Sequence, residues 1–208
     1  MQITLLGATG RVGREVMLRA LADGHRVHAL VRSADKLGLS HPQLTAIVGD
    51  AREEAALKQA VADSSVVISG LGTDGGDTLS ACFPLLLAVM EQQEIHRLVT
   101  VGTAGILESR SEPGLLRYQS SESKRRSTRA AEEHHAVLRL LQASAELLNW
   151  TLVCPTYLPD GPYTGTYRTE QDYLPEGGLQ ITVGDTADFT YREAVGGAFF
   201  RCRVGLAE

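Results

Sequence analysis

GATGRVGREV, residues 7–16, is the stretch whose reading decides the fold. The short apolar run ITLL (3–6) precedes it. Residues 11–23 follow it and read as a helix, with Val12, Val16, Leu18 and Leu21 as expected core contacts and Gly24 just past its end. A chain that leaves a buried strand and starts a helix within a few residues needs glycine where the turn is tight. Gly7 permits the turn, Gly10 lets the backbone approach a ligand, and Gly13 lets helix and strand pack closely. Two readings compete. In one, the free N–H groups and positive dipole end of the helix hold a dinucleotide pyrophosphate. In the other, the turn joins strand to helix with nothing bound. The spacing is G-x-x-G-x-x-G and not G-x-G-x-x-G, so the motif carries weight through its context, strand before and helix after.

Working outward, the same alternation repeats. RVHALV (26–31), LTAIV (44–48), SVVIS (65–69), RLVTV (97–101), WTLVC (150–154) and LQITV (179–183) read as further strands. Residues 53–62, 78–93 and 129–147 read as helices, with Pro84 either in the first turns of its helix or kinking it. A last helix begins at DTADF, with Asp185 as expected N-cap and Asp188 in an acidic first turn. Strands alternating with helices predict an α/β fold: a doubly wound, Rossmann-type parallel sheet of about seven strands with helices on both faces. Residues 1–208 are expected to form one NAD(P)-binding domain. Two long loops, 104–128 and 155–178, follow strand C-termini, where open α/β sheets bind ligands.

Composition narrows the classes. The chain has 208 residues and a formal net charge of −5, which argues against a nucleic-acid-binding surface. Cys82, Cys154 and Cys202 give neither a disulfide framework nor a metal-ligand spacing, as expected in a reducing compartment. No run is long enough to cross a membrane and the N-terminus has no basic n-region, so a cytoplasmic protein without a membrane partner is expected.

The strand ends nominate the site. Gly7, Thr9, Gly10, Arg11, Val12 and Gly13 form the expected phosphate loop. At the end of the second strand, where NAD binders usually carry an acid, this chain has Arg32, a charge suited to a 2′-phosphate. Arg11 and Lys36 would add cations, favouring NADP(H). The alternative leaves Arg32 a surface residue against adenine, with NADH accepted as well. Asp50 and Ala51 follow the third strand. The Asp50 carboxylate would accept the adenine amino group, cap the helix at 53–62, or do both. Leu71, Gly72 and Thr73 follow the fourth strand and would pass close to the cofactor. Of the six tyrosines, Tyr157, Tyr163, Tyr167 and Tyr173 lie in the loop 155–178, facing a flat conjugated ligand or stiffening the loop. Arg110, Arg117, Lys124, Arg125 and Arg126 in the loop 104–128 would screen an anionic substrate or form a solvated face. His134 and His135 show no metal spacing and are read as structural.

GATGRVG, LVR at 30–32, VGDA at 48–51, GLGT at 70–73, and NWTLVCPTYLPDGPYTGTYR at 149–168 together resemble the atypical short-chain dehydrogenases, in particular the flavin reductase and biliverdin-IXβ reductase-like branch. The stretch from Pro155 to Tyr167, with ITVGDTADF after it, is the most specific part. The resemblance implies NADPH and reduction of flavins or linear tetrapyrroles by a monomer or homodimer. It also implies site roles for Thr103, Tyr157 and Pro155: Thr103 stands where the family carries Ser or Thr, and Tyr157 where biliverdin reductase-like members carry histidine. One departure is clear. No Tyr-x-x-x-Lys pair is present; Tyr118 is followed four residues on by Glu122, and Ala131 stands where relatives with an active lysine place it. Carbonyl reduction and sugar-nucleotide epimerisation are therefore disfavoured. Hydride transfer to a planar acceptor, with the proton drawn from solvent, is the expected chemistry. A non-catalytic NADP(H) sensor acting through a protein partner is the alternative.

Overall fold

A computed structural model describes residues 1–208. The apolar runs become strands because helices cover both faces of the sheet, so the central strands bury every side chain or nearly so, while the strands at the two edges stay largely open. In chain order the first elements are β1 (Gln2–Leu6), α1 (Arg11–Ala22), β2 (Arg26–Val31), β3 (Leu44–Val48), α2 (Glu54–Val61) and β4 (Val66–Ser69). They are followed by α3 (Thr78–Gln92), β5 (Arg97–Val101), α4 (Arg129–Gln142), β6 (Asn149–Pro155), β7 (Arg168–Gln171), α5 (Val183–Gly196) and β8 (Cys202–Ala207).

The eight strands lie in the order β3-β2-β1-β4-β5-β6-β8-β7, all parallel except β7, which pairs antiparallel with β8 at the edge. Alternate residues feed two cores. Ile3, Leu5, Val27, Ile68, Val99 and Val204 pack under α1 and α5. Leu6, Val67, Leu98 and Leu152 pack under α2, α3 and α4. The strand order reverses beside β1, which opens a crevice at the C-terminal ends of β1 and β4.

Three sequence expectations are corrected. LQITV is not a strand: only Gln180 makes an isolated bridge, to Tyr157, and α5 starts at Val183. Its β-like pattern has another cause, because Ile181 and Val183 are buried as they lead into that helix. The N-cap is Thr182, whose Oγ1 accepts from the Asp185 N–H at 3.0 Å. The fully buried Asp185 carboxylate instead accepts from the backbone N–H groups of Thr164 at 2.8 Å and Gly165 at 2.9 Å, pinning the preceding loop to the helix. The helix expected to reach residue 147 ends at Gln142, where the Ser144 hydroxyl donates to the Leu141 carbonyl at 2.6 Å and closes the last turn. The sheet also gains β8, and β7 from within the loop 155–178. Charged, exposed β7 carries no core pattern and depends on β8 for its hydrogen bonds.

Pro84 sits in the second turn of α3. Glu133 of α4 reaches across to the preceding turn, accepting from the Ser80 N–H at 3.0 Å and its hydroxyl at 2.9 Å, and so caps a helix whose own N-cap, Asp77, offers no side-chain bond.

The tightest packing lies where β1 meets α1. A Cβ on Gly13 would stand 2.1 Å from the Gly7 carbonyl oxygen, and one on Gly7 would stand 2.6 Å from the Gly70 carbonyl carbon. Backbone atoms cannot move aside as a flexible side chain can. Gly13→Ala is expected to destabilise the protein by about 3 kcal/mol, read as a lowered denaturant midpoint. Gly72→Ala, at a position with open space around it, is expected to leave that midpoint unchanged.

Candidate functional site

Parallel strands place all their C-terminal ends on one edge, so the residues nominated from strand ends converge there. Gly7 follows β1 with φ +78°, a left-handed conformation that suits glycine. Gly10 caps α1 in extended conformation without a side-chain cap, and its N–H donates to the Gly7 carbonyl at 2.9 Å. The N–H groups of Arg11, Val12 and Gly13 have no acceptor in the protein, and the first turn of α1 carries no acid. Exposed Thr9 and Gly10 flank these amides, while the Val12 side chain is buried in the core. A set of free amides at a positive helix end lacking a carboxylate fits a dinucleotide diphosphate.

The cations are arranged less simply. Arg32, 71 % exposed at the end of β2, stands 3.6 Å from Asp74 of the β4–α3 loop. Lys36 is exposed on a 3-10 turn, Ala34–Leu37, and forms no ion pair. Arg11 turns the other way. Its guanidinium donates to Asp160 and to the Leu158 carbonyl, both at 2.9 Å, joining the glycine loop to the segment after β6. The expectation that Arg11 gathers with Arg32 around one phosphate is thus not met in this arrangement; the nearer carboxylate holds it.

Asp50 does not cap α2, whose N-cap is Glu53. Its carboxylate accepts from Arg52, from the backbone N–H at 2.9 Å and from the guanidinium at 2.8 Å and 3.1 Å. These bonds hold the Asp50 carboxyl down at about 2. Ala51 and Leu71 pack their side chains against the core, and Gly72 and Thr73 continue the strand-end rim.

Beside the crevice, past β5 and β6, lies a cavity of about 580 Å³ whose wall includes Thr103, Tyr118, Lys124, Arg125, Pro155 and Tyr157. Thr103 caps a 3-10 turn, Ala104–Ile106, accepting from the Gly105 N–H at 3.3 Å. It serves the turn and the cavity wall together. Tyr157 is 62 % exposed. Of the four loop tyrosines it alone reaches the cavity. Tyr163 lies under Arg19, Tyr167 packs edge-on against Phe189, and Tyr173 lies under Arg110. The basic run divides by pairing. Arg110 pairs with Glu170 outside the cavity; Arg117, paired with Glu122, lines the cavity together with Lys124 and Arg125, which have no ion-pair partner.

Glu122 anchors the loop 104–128. Burial pushes its carboxyl up, but the N–H groups of Ser111 and Arg110, the Ser109 hydroxyl and the Arg117 guanidinium outweigh burial and hold it at about 2. His134 is buried in α4, and burial lowers it to about 4, in keeping with a structural role. His135 is different. Its Nδ1 lies 2.9 Å from the Tyr118 hydroxyl. Sequence reading missed this pair, because 17 residues separate its members.

A model of the NAD(P)H-binding family matches residues 7–194, and the chain belongs to that family. The sheet and crevice are those of Rossmann-type NAD(P)H-binding oxidoreductases. The chain is similar to YwnB of Bacillus subtilis (strain 168), an uncharacterised protein, with 26 % identity over 83 % of this chain and 80 % of that one. Among solved structures it is similar to ChuY, an anaerobillin reductase from Escherichia coli O157:H7. Identity there is 25 % and TM-score 0.83, covering 100 % of this chain and 97 % of that one. A candidate NADH-flavin reductase from Streptococcus pneumoniae TIGR4 shares the fold at 24 % identity and TM-score 0.85, over 100 % and 99 % of the two chains. No helix is long and apolar enough to cross a membrane.

The depressed Glu122 carboxyl sets a pH dependence. A group whose folded pKa lies below its unfolded value contributes stability that is complete above the ordinary 4.5 and is lost as pH falls toward 2. Glu122→Gln is therefore expected to lower the denaturant midpoint above pH 4.5. The gap from the unmodified protein should close as the solution is acidified toward pH 2.

Proposed function

We propose that the protein is an NADPH-dependent reductase that passes hydride to a planar, conjugated, anionic acceptor, a flavin or a linear tetrapyrrole, held in the cavity beside the dinucleotide crevice. One observation carries this reading: the free amides of α1 and the cavity open on the same strand edge, and Thr103 and Pro155 of that edge lie in the cavity wall.

A nicotinamide cofactor bound along that edge supplies the hydride. The protein's own residues bind and orient. The amides of Arg11, Val12 and Gly13 take the diphosphate. Arg32, with Lys36 nearby in sequence, takes the 2′-phosphate in exchange for its long contact with Asp74. Asp50, Ala51, Leu71, Gly72 and Thr73 line the adenosine side. Thr103 and Pro155 set the nicotinamide end against the cavity, and Tyr157 offers a partly exposed aromatic face to a flat ring. The unpaired Lys124 and Arg125 supply counter-charges for propionates or a flavin phosphate. On this reading catalysis rests mainly on holding two rings together. We further propose that residues 1–208 act as one domain in the cytoplasm, as a monomer or homodimer. The similarity to an anaerobillin reductase and to a candidate flavin reductase is in keeping with the proposed acceptors.

Purified protein mixed with NADPH and, in turn, FMN, riboflavin and biliverdin is expected to show acceptor-dependent loss of NADPH absorbance. Tight NADPH binding with no oxidation by any of them would instead favour a redox sensor working through a protein partner. Arg32→Ala is expected to weaken NADPH binding about tenfold to a hundredfold, the cost of a hydrogen-bonded charge, and to leave NADH binding within about twofold. Isothermal titration with both dinucleotides reads this difference.

A further inference from the structure

The cavity wall contains a phenol, Tyr118, that is paired with a histidine standing behind the wall. Tyr118 stands on a 3-10 turn, Arg117–Gln119, held against the turn that Thr103 caps. Gly105 makes the close approach possible, since a Cβ there would meet the Tyr118 Cβ at 3.4 Å and the Ala131 Cβ at 3.3 Å. Both Tyr118 and Ala131 line the cavity. One helical turn beyond Ala131, His135 places its Nδ1 2.9 Å from the Tyr118 hydroxyl, with the two rings edge to face. His135 Nε2 makes no hydrogen bond within the protein and is not among the buried unpartnered atoms, so it reaches solvent. A phenol in a cavity wall, backed by an imidazole open to water on its far side, is a path for one proton.

We infer that Tyr118 donates the proton that completes reduction of the acceptor in this cavity, with His135 as the positioning residue that resupplies it from solvent. The inference rests on the reductase reading above and replaces its assumption of a proton taken directly from water. Hydride addition to the conjugated acceptor leaves a negative charge on one of its nitrogens. The Tyr118 O–H bond breaks and that nitrogen takes the proton. The phenolate oxygen takes the proton on His135 Nδ1, while Nε2 gains one from water, so the imidazole changes tautomer and stays neutral. Two electrons and one proton enter the acceptor with the hydride, the second proton comes from solvent, and the nicotinamide is the reductant oxidised. Burial and the neighbouring charges of Arg139 on α4 and Arg203 on β8 all lower the His135 pKa, favouring the neutral ring this exchange needs. Arg203 is itself paired with Glu108 and Asp172. The arrangement differs from a tyrosine–lysine pair: the helper is an imidazole on a neighbouring helix and not a lysine ammonium.

The test uses full-length protein, NADPH, and biliverdin or FMN as acceptor. Tyr118→Phe keeps the ring and is expected to lower kcat about a hundredfold, with NADPH affinity unchanged. His135→Ala is expected to lower kcat about tenfold with KM unchanged, and His135→Asn, whose amide can donate from the Nδ1 position, to restore part of the loss. A readout without turnover accompanies these: biliverdin bound in the presence of NADP+ should show a shifted visible band, lost in Tyr118→Phe. Unmodified protein that turns over while Tyr118→Phe retains more than half its kcat overturns the proton-donor role alone. So does an unchanged band shift in that variant. Unmodified protein that oxidises NADPH with none of the acceptors overturns the reductase reading and this inference together. Should Tyr118→Phe fail to fold, the His135 variants decide: kcat equal to that of the unmodified protein in both would overturn the inference.

Discussion

The backbone contact among Gly7, Gly13 and Gly70 is the constraint on which the rest of the site depends. It brings the start of α1 onto the ends of β1 and β4 closer than any side chain would allow. With α1 fixed there, its first amides find no acceptor in the protein. The set of free amides is thus a consequence of packing. This explains why a glycine motif alone cannot separate a ligand site from a tight connection: Gly7 and Gly13 are required by packing whether or not anything binds. Gly10 is the informative one. It is exposed, and a Cβ there would stand 3.2 Å from the Gly7 oxygen, a contact that Gly7 and Gly13 far exceed in severity. Its lack of a side chain keeps the amides accessible.

Around this edge the charged side chains bind loops to one another. Arg11 ties the glycine loop to the segment after β6, Arg110 ties the two long loops together, and Glu122 accepts from four residues of the loop 104–128. Arg203, buried in β8, reaches Glu108, Asp172 and the Ile106 carbonyl at once. Exposed pairs such as Arg11–Asp160 and Arg32–Asp74 are individually weak, so a phosphate can displace their carboxylates at small cost. The more enclosed Arg203 and Glu122 networks set loop shape and with it the cavity.

The cavity and the crevice meet at the ends of β5 and β6, and they differ in kind. The crevice is built from backbone, which tolerates little change. The cavity is built from side chains of loops and the first turn of α4: a threonine serving its own turn, an exposed tyrosine, two unpaired cations, an arginine–glutamate pair and a phenol backed by an imidazole. One crevice can therefore be combined with differently lined cavities.

How much was legible follows from the range of the interactions involved. Local patterns fixed β1 to β6 and α1 to α3 within a residue or so, because strand burial and helical periodicity are written in neighbouring residues. Parallel strands then carried the strand-end residues Gly10, Arg32, Asp50, Leu71, Thr103 and Pro155 to one edge. What depends on distant partners was not legible. β7 is a strand only because β8 lies beside it, LQITV lacks a partner ladder beyond one bridge, and Asp185 binds the loop 20 and 21 residues upstream instead of capping its own helix. The partners of Arg11 and of the Tyr118 hydroxyl lie on separate elements, 149 and 17 residues away. Sequence by itself determined the parallel part of the sheet from β1 to β6, its winding and the glycine-lined edge, since these follow from periodicity and backbone sterics. Only tertiary structure decided which charges are already paired and which phenol meets which imidazole, since those contacts exist only once the loops have closed over the strand ends.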